Sequence, residues 1–372
     1  MSRSVTPFSL AALVALSLFF PACTDDEGGP TGAEPRRPSQ SPAQKISPSA
    51  SPMVSTAPSD DGGPVLLYMD GRTLHRLDVK AADEKLDKLP SPDVAATLDG
   101  AKLAYVVGAV EAPDDEDFIA SPEIHIYEVE TGSDVTIGGG LSPLWHRDGT
   151  RLAYLEPNAA RICEGESCSG SSNVVVADLE TEERKTVLAD GRWSLVGWWG
   201  DRLLVVDQEG EPATVAVSED GETETLPVAP SEVWGAAPDG GPVVRSVGDR
   251  VEFLSPGRFE VLATVDLDGR LLGRGTWSPT SEELSAALLD RGRFTSELAL
   301  IDLTTQDPVA LDASRGATGE VVWAEDGAAY VYARSKGPRG LMLEAVYCAR
   351  ASSNVCDPLF SWRRGVRLLS LN

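Results

Sequence analysis

Apolar and polar residues alternate in short bursts along most of this chain, and turn residues separate the bursts. One stretch reads Leu144-Trp145-His146-Arg147-Asp148-Gly149-Thr150-Arg151-Leu152-Ala153-Tyr154-Leu155. An aromatic end, an Asp-Gly turn and an alternating apolar run predict a β-hairpin, because Asp and Gly tolerate the positive φ of a tight turn. The phrase recurs as Thr97-Leu98-Asp99-Gly100-Ala101-Lys102-Leu103-Ala104-Tyr105, as Trp234-Gly235-Ala236-Ala237-Pro238-Asp239-Gly240, as Trp277-Ser278-Pro279-Thr280 and as Trp323-Ala324-Glu325-Asp326-Gly327-Ala328-Ala329-Tyr330. Recurrence at roughly 40 to 50 residues predicts a radial or stacked β array.

Read in order, the first unit has strands at 65–69, 73–79 and 84–89, one short of the number in later units. The second starts before Asp99-Gly100 and runs through 102–107, 123–130 and 134–137. The third holds 141–155, 173–179 and 184–188, and the fourth 193–207, 213–218 and 223–228. The fifth starts near Glu232 and holds 243–247, 250–254 and 259–265. Strands at 272–277, 284–289, 297–303 and 308–311 make the sixth unit, and 320–323, 328–333, 341–349 and 354–360 the seventh. Residues 365–371 are left over. A propeller must close its ring, and pairing this last strand into the incomplete first unit buries two exposed edges at once. The expected fold is therefore all-β: a seven-bladed β-propeller of four-stranded antiparallel blades, with 365–371 as the innermost strand of blade 1. Six or eight blades are the alternatives, because units four and five carry weak turn signals. A stacked β-helix would need shorter and more regular repeats.

The phrases Trp277-Ser278-Pro279, Pro238-Asp239-Gly240 and Asp148-Gly149-Thr150-Arg151-Leu152-Ala153-Tyr154 resemble the Trp-Ser-Pro-Asp-Gly-x-x-Leu-Ala-Tyr repeats of TolB-type propellers. The likeness covers nearly all of 65–372, with Thr280 in place of Asp and Trp199-Gly200-Asp201 in place of the blade 4 turn. It implies an architecture; Trp and Asp-Gly pack and turn blades, so no partner follows from them.

The N-terminus is of another kind. Arg3 precedes an apolar run at 8–20 that ends in Pro21-Ala22-Cys23, too short to span a bilayer comfortably. It resembles a bacterial lipoprotein signal, which implies a mature chain beginning at a lipid-bearing Cys23. Ordinary signal cleavage nearby, with Cys23 a free thiol, is the alternative. Residues 24–64 are rich in Pro, Ser and Asp and nearly devoid of large apolar side chains, so they cannot offset the entropy of ordering. The division is a signal at 1–22, a tether at 23–64 and a propeller at 65–372. Such a protein is exported and held at the bacterial cell membrane by its lipid.

Of the 372 residues, 58 are Asp or Glu and 32 Lys or Arg, giving a formal net charge of -26. That balance argues against nucleic acid and anionic lipid as partners, since both need a positive field. A monomer is expected. The cysteines beyond Cys23 form two close pairs, Cys163 with Cys168 and Cys348 with Cys356. In an exported protein disulfides are the default for both pairs. Zinc is the rival reading, but no histidine accompanies either pair, so neither a metal nor a cofactor is expected. The histidines, His75, His125 and His146, lie in or beside strands and read as packed or surface residues. The run Glu111-Ala112-Pro113-Asp114-Asp115-Glu116-Asp117 offers oxygens to calcium but lacks the spaced pattern of a dedicated loop. Asp266-Leu267-Asp268-Gly269 reads as another turn.

Charge and loop length are distributed unevenly. Connections between second and third strands, and between blades, emerge on one face of a propeller. On that face blades 2 and 3 carry long acidic loops at 108–121 and 156–172. Blades 6, 7 and 1 carry Arg291, Arg293, Arg334, Lys336, Arg339, Arg363 and Arg364, a basic arc against a negative background. An ordinary solvated rim is the other reading of this arc. The favoured function is a non-enzymatic module that binds an envelope protein or polymer on this rim. One alternative is a propeller glycan hydrolase or lyase with acidic residues in the central channel. Another is a small-ligand site at Trp193, Trp198 and Trp199, set against plain inter-blade packing.

Overall fold

The computed structural model describes residues 64–78, 83–92, 94–108, 122–158, 162–164, 167–169, 171–209, 211–230, 232–290, 295–303, 305, 308–310, 315–336, 342–350, 356–363 and 366–372. Every regular element among them is a strand, and apart from a two-stranded ribbon (Ile162–Glu164 with Ser167–Ser169) the strands form seven four-stranded antiparallel sheets. We name the strands of each blade a to d from the inside outward.

Blade 2 is the simplest case, with Val94–Ala96, Lys102–Val107, Glu123–Glu128 and Asp134–Gly139 as a to d. Blade 3 is Leu141–Trp145, Arg151–Pro157, Ser172–Asp178 and Glu183–Gly191, and blade 4 is Trp193–Trp199, Arg202–Asp207, Ala213–Ser218 and Thr223–Thr225. Blade 5 is Val233–Ala236, Val243–Val247, Arg250–Leu254 and Val261–Asp266, and blade 6 is Leu271–Trp277, Glu283–Asp290, Thr295–Asp302 and Pro308–Ala310. Blade 7 is Ala317–Trp323, Ala329–Lys336, Met342–Ala349 and Cys356–Arg363. The weak turn signals of units four and five hide two complete blades.

Blade 1 is assembled from both ends of the propeller. Val366–Leu371 is its strand a, and Val65–Asp70, Thr73–Asp78 and Asp83–Lys88 are its b, c and d. The Val65 N–H donates to the Asn372 carbonyl at 2.7 Å and the Asn372 N–H to the Val65 carbonyl at 2.9 Å, which forms the end of a hairpin with no covalent turn. Leu371 also makes a parallel bridge to Ala324 in blade 7. The ring is thus closed by the terminal strand, as the unpaired first unit requires.

The core is divided among the seams. Seven apolar clusters correspond to the seven blade-to-blade contacts. Strand alternation feeds each sheet's two faces into different seams. Tyr154 packs toward blade 2 while its neighbour Ala153 packs toward blade 4. Trp198 and Trp199 divide in the same way, between blades 3 and 5.

One a–b turn geometry recurs. The His146 N–H donates to Arg151 O at 2.9 Å and the Gly149 N–H to His146 O at 3.1 Å, with Asp148 Oδ1 accepting from the Thr150 N–H at 2.9 Å. The same main-chain bonds join Thr97 to Lys102, Ala237 to Pro242, Ser278 to Glu283 and Ala324 to Ala329. Gly149 sits at φ 71°, where a Cβ would be strained. In blade 6, Ser281 takes that left-handed position at φ 58°. Blade 4 tightens the connection instead: Trp199 is directly opposite Arg202, and Gly200 turns at φ 57°.

Candidate functional site

The b–c and d-to-a connections share one face, called upper here. Between blades 5 and 6 this face opens into a cleft of about 490 Å³. One wall is the connection Asp268-Gly269-Arg270, where Asp268 (φ 52°) and Gly269 (φ 76°) both take left-handed backbone. The turn is fixed by the Leu267 N–H on Asp249 O at 2.8 Å and the Arg270 N–H on Leu267 O at 3.0 Å. The opposite wall comes from blade 6, with Asp290 at the end of strand b and Glu297 on strand c. Leu288, two residues before Asp290 and 1% exposed, is part of the apolar seam with blade 5 and floors the cleft. Arg315, on the connection to blade 7, completes the rim.

Arg270 is held in place. Its Nε donates to Leu267 O at 3.0 Å, and its guanidinium stands 3.9 Å from Asp268 Oδ2. Across the cleft, Arg315 Nε lies 3.6 Å from Glu297 Oε1. Both separations exceed a good charge-assisted hydrogen bond, so each guanidinium retains donor capacity. Among the described residues, the lining holds neither an imidazole nor a hydroxyl or thiol nucleophile.

The basic arc meets a different environment. Arg334 lies directly opposite Glu344 across strands b and c of blade 7. Its Nη2 is 2.7 Å from Glu344 Oε2, and Lys336 Nζ is 2.7 Å from Oε1. The Lys336 ammonium and then the Arg334 guanidinium hold the Glu344 carboxyl below its ordinary range, against the opposing effect of burial. Much of the charge of Arg334 and Lys336 is therefore matched within the blade. Arg291, Arg293, Arg339 and Arg364 lie outside the described residues, as do Cys23 and the acidic run at 111–117. Arg363 ends strand d of blade 7 opposite Met342, and its side chain is outside the described part.

Cys348 and Cys356 form a disulfide across strands c and d of blade 7, with Cα atoms 4.3 Å apart. The connection at 156–172 contains a two-stranded ribbon, Ile162–Glu164 with Ser167–Ser169, whose register sets Cys163 opposite Cys168.

The histidines are built into the blades. His75 stacks on Tyr68 with ring centroids 4.8 Å apart, and its Nδ1 is 3.3 Å from Asp83 Oδ1. Blade 2 repeats the arrangement: His125 stacks on Tyr105 at 5.3 Å and its Nδ1 is 3.1 Å from Asp134 Oδ1. In each blade the three residues come from strands b, c and d and tie the outer strand to the inner ones. Burial, then the aspartate beside each hydroxyl, pushes Tyr68 and Tyr105 above the ordinary phenol range. His146, 4% exposed, sits under the opposite face with Nε2 3.1 Å from Gly200 O and the ring edge against Trp198. The indole N–H groups of Trp145 and Trp198 reach main-chain carbonyls of the preceding blade, Ala95 O at 3.0 Å and Leu144 O at 3.2 Å. Trp199 reaches Gly241 O of the following blade at 2.7 Å. These are seam contacts.

Sequence reading missed Arg270, Asp290, Glu297 and Arg315. A signal was present in the Asp268-Gly269 turn, since a turn after an outer strand delivers its next residue to the upper face.

These features define the class: a closed seven-bladed β-propeller with a charged cleft at one seam of its upper face. Among solved structures, Pyrococcus horikoshii acylaminoacyl peptidase is similar with a TM-score of 0.53 and 14% identity, covering 77% of this chain and 47% of that one. The β-propeller domain of the trilobed protease from Pyrococcus furiosus, described as having an open velcro topology, gives 0.50 and 16%, covering 77% of this chain and 86% of that one. TolB from Acinetobacter baumannii gives 0.48 and 16%, covering 84% and 68%. The chain spans about half the length of the peptidases it resembles. At these identities the likeness is one of fold. No protein-family model and no curated protein sequence matches the chain.

Proposed function

We propose that this propeller is a cell-envelope binding module, anchored through a lipid on Cys23, that holds an envelope protein or polymer on its upper face without chemical turnover. The observation that carries the reading is the blade 5–6 cleft, whose described lining sets guanidiniums opposite a carboxylate. A ring sealed by its own last strand presents that face rigidly, and preorganised polar groups lose little freedom on binding. The sequence supplies further basic residues in blades 6, 7 and 1, which this reading assigns to the same face.

The test is capture of partners from envelope extracts by the full chain. Reversing charge at Arg291, Arg293, Arg339 and Arg364 should abolish capture. Arg334 and Lys336 are left in place because both hold the buried Glu344. Capture unchanged by the reversal would overturn the reading, and turnover of an envelope glycan by the purified chain would replace it with the enzymatic one. Cys23→Ala should move the protein from the membrane fraction to the soluble fraction.

A further inference from the structure

We infer that the cleft between blades 5 and 6 is a site for a short zwitterionic peptide, a chain end that presents a free carboxylate and an ammonium group. The inference rests on the reading above in taking the upper face as the binding face, and it adds the class of ligand.

The walls differ in sign. On the blade 5 side, Arg270 is 24% exposed in its side chain and tied by Nε to a main-chain carbonyl. Among the described residues, its remaining donors have as charged partner only Asp268, 3.9 Å away and 85% exposed. A guanidinium fixed at one edge and loosely matched at the other is preorganised to take a carboxylate in a forked hydrogen bond. On the blade 6 side, Glu297 presents a carboxylate with Arg315 standing 3.6 Å from it. Strand alternation turns Glu297 toward blade 5, because Ala299 and Ile301 of the same strand lie in the blade 5–6 cluster. An ammonium group is the complement of that wall.

The rim and floor narrow the choice further. Arg315, 80% exposed and 3.6 Å from Glu297, can swing over a bound carboxylate without breaking a tight bond. Leu288 gives an apolar floor for the short stretch between the two charged ends. The volume of about 490 Å³ falls within the range of small-ligand sites. Carboxylates face guanidiniums across the described lining, so a ligand carrying both signs of charge matches it better than a polyanion such as a nucleotide. A bare metal ion is a poor fit: among the described residues no three Asp, Glu, His or Cys side chains converge as a metal cluster.

The experiment is calorimetric titration of the purified full-length protein with the dipeptide Ala-Ala, its N-acetyl form and its C-terminal amide. The free dipeptide should bind saturably, and either cap should weaken binding by about tenfold or more, as loss of a charged hydrogen bond does. Arg270→Gln should erase the preference for the free carboxylate, and Glu297→Gln the preference for the free amine. Thermal unfolding of both variants checks that they fold, and the capped ligands need no variant at all. Absence of saturable binding, or equal binding of all three ligands, would overturn the inference. The two readings separate cleanly. Partner capture lost on arc reversal but no dipeptide binding defeats the cleft inference alone, whereas dipeptide binding with arc-independent capture overturns the function proposed above and leaves the ligand class of the cleft standing.

Discussion

Arg350, just past strand c of blade 7, holds its Nη2 3.1 Å from Oε1 of Glu283 at the foot of blade 6. Glu283 is 8% exposed, and its Oε2 has no hydrogen-bond partner among the described residues. Burial raises the Glu283 carboxyl above its ordinary pKa, and Arg350 opposes the rise without cancelling it.

The sign of the resulting pH dependence is fixed. The folded chain keeps a proton on Glu283 that the unfolded chain releases near the ordinary value of 4.5. Stability is therefore lost as pH rises from there to the raised folded value, with each unit of displacement contributing about 1.4 kcal/mol. Glu283→Gln removes this dependence. Urea denaturation of both proteins across the acid range should show the wild type losing ground to the variant as pH increases. A difference that stays flat with pH would mean that Glu283 titrates ordinarily.

The seam between blades 3 and 4 behaves in the opposite sense. Arg151 lies 2.6 Å from Asp148 and 2.8 Å from Asp201, pairs also with Glu219, and stands over the Trp198 ring at 5.9 Å. Burial would raise Asp148, but the Thr150 N–H, the Arg151 guanidinium and the Arg151 N–H outweigh it and hold the carboxyl well below its usual range. This contribution is present above the ordinary value of 3.8 and is lost as pH falls toward the lowered one. Arg151→Met should cost about 1–2 kcal/mol at neutral pH, a figure kept low because Asp201 is largely exposed. It also leaves three carboxylates facing one another. Added salt should then stabilise the variant more than the wild type, which denaturation at low and high ionic strength measures.

How much of this was legible depended on how local each feature is. Asp99-Gly100, Asp148-Gly149 and Asp326-Gly327 announce their turns because a tight turn is encoded by adjacent residues. The unpaired first unit and the spare strand at the C-terminus together announced the closure. Ser281 was invisible as a turn residue, since nothing beside it shows that it takes a left-handed φ of 58°. The cleft was harder still: 268–270, 288–297 and 315 meet only through blade-to-blade packing, which no short window contains. Arg334 and Lys336 read as members of an open arc. Cross-strand register, which a one-residue shift would reverse, puts Arg334 opposite Glu344.

Closure itself predicts the largest stability effect. Leu371 is fully buried, packs with Leu66, Val331 and Trp362 in the blade 7–1 cluster, and bridges to Ala324. Leu371→Ala removes apolar contacts from the seam that joins the two ends of the propeller, and should cost about 2–4 kcal/mol. Val261→Thr, on the outer strand of blade 5 at a position 49% exposed, should stay within about 0.5 kcal/mol. Deleting 366–372 is more severe, because it strips strand Val65–Asp70 of one pairing partner and opens its edge. Amide hydrogen exchange should then accelerate in Val65–Asp70 and in blade 7 before it changes in blade 4, which lies far from the break in chain order. Uniform protection after the deletion, or an Leu371→Ala cost no larger than that of Val261→Thr, would show that the ring holds together without its last strand.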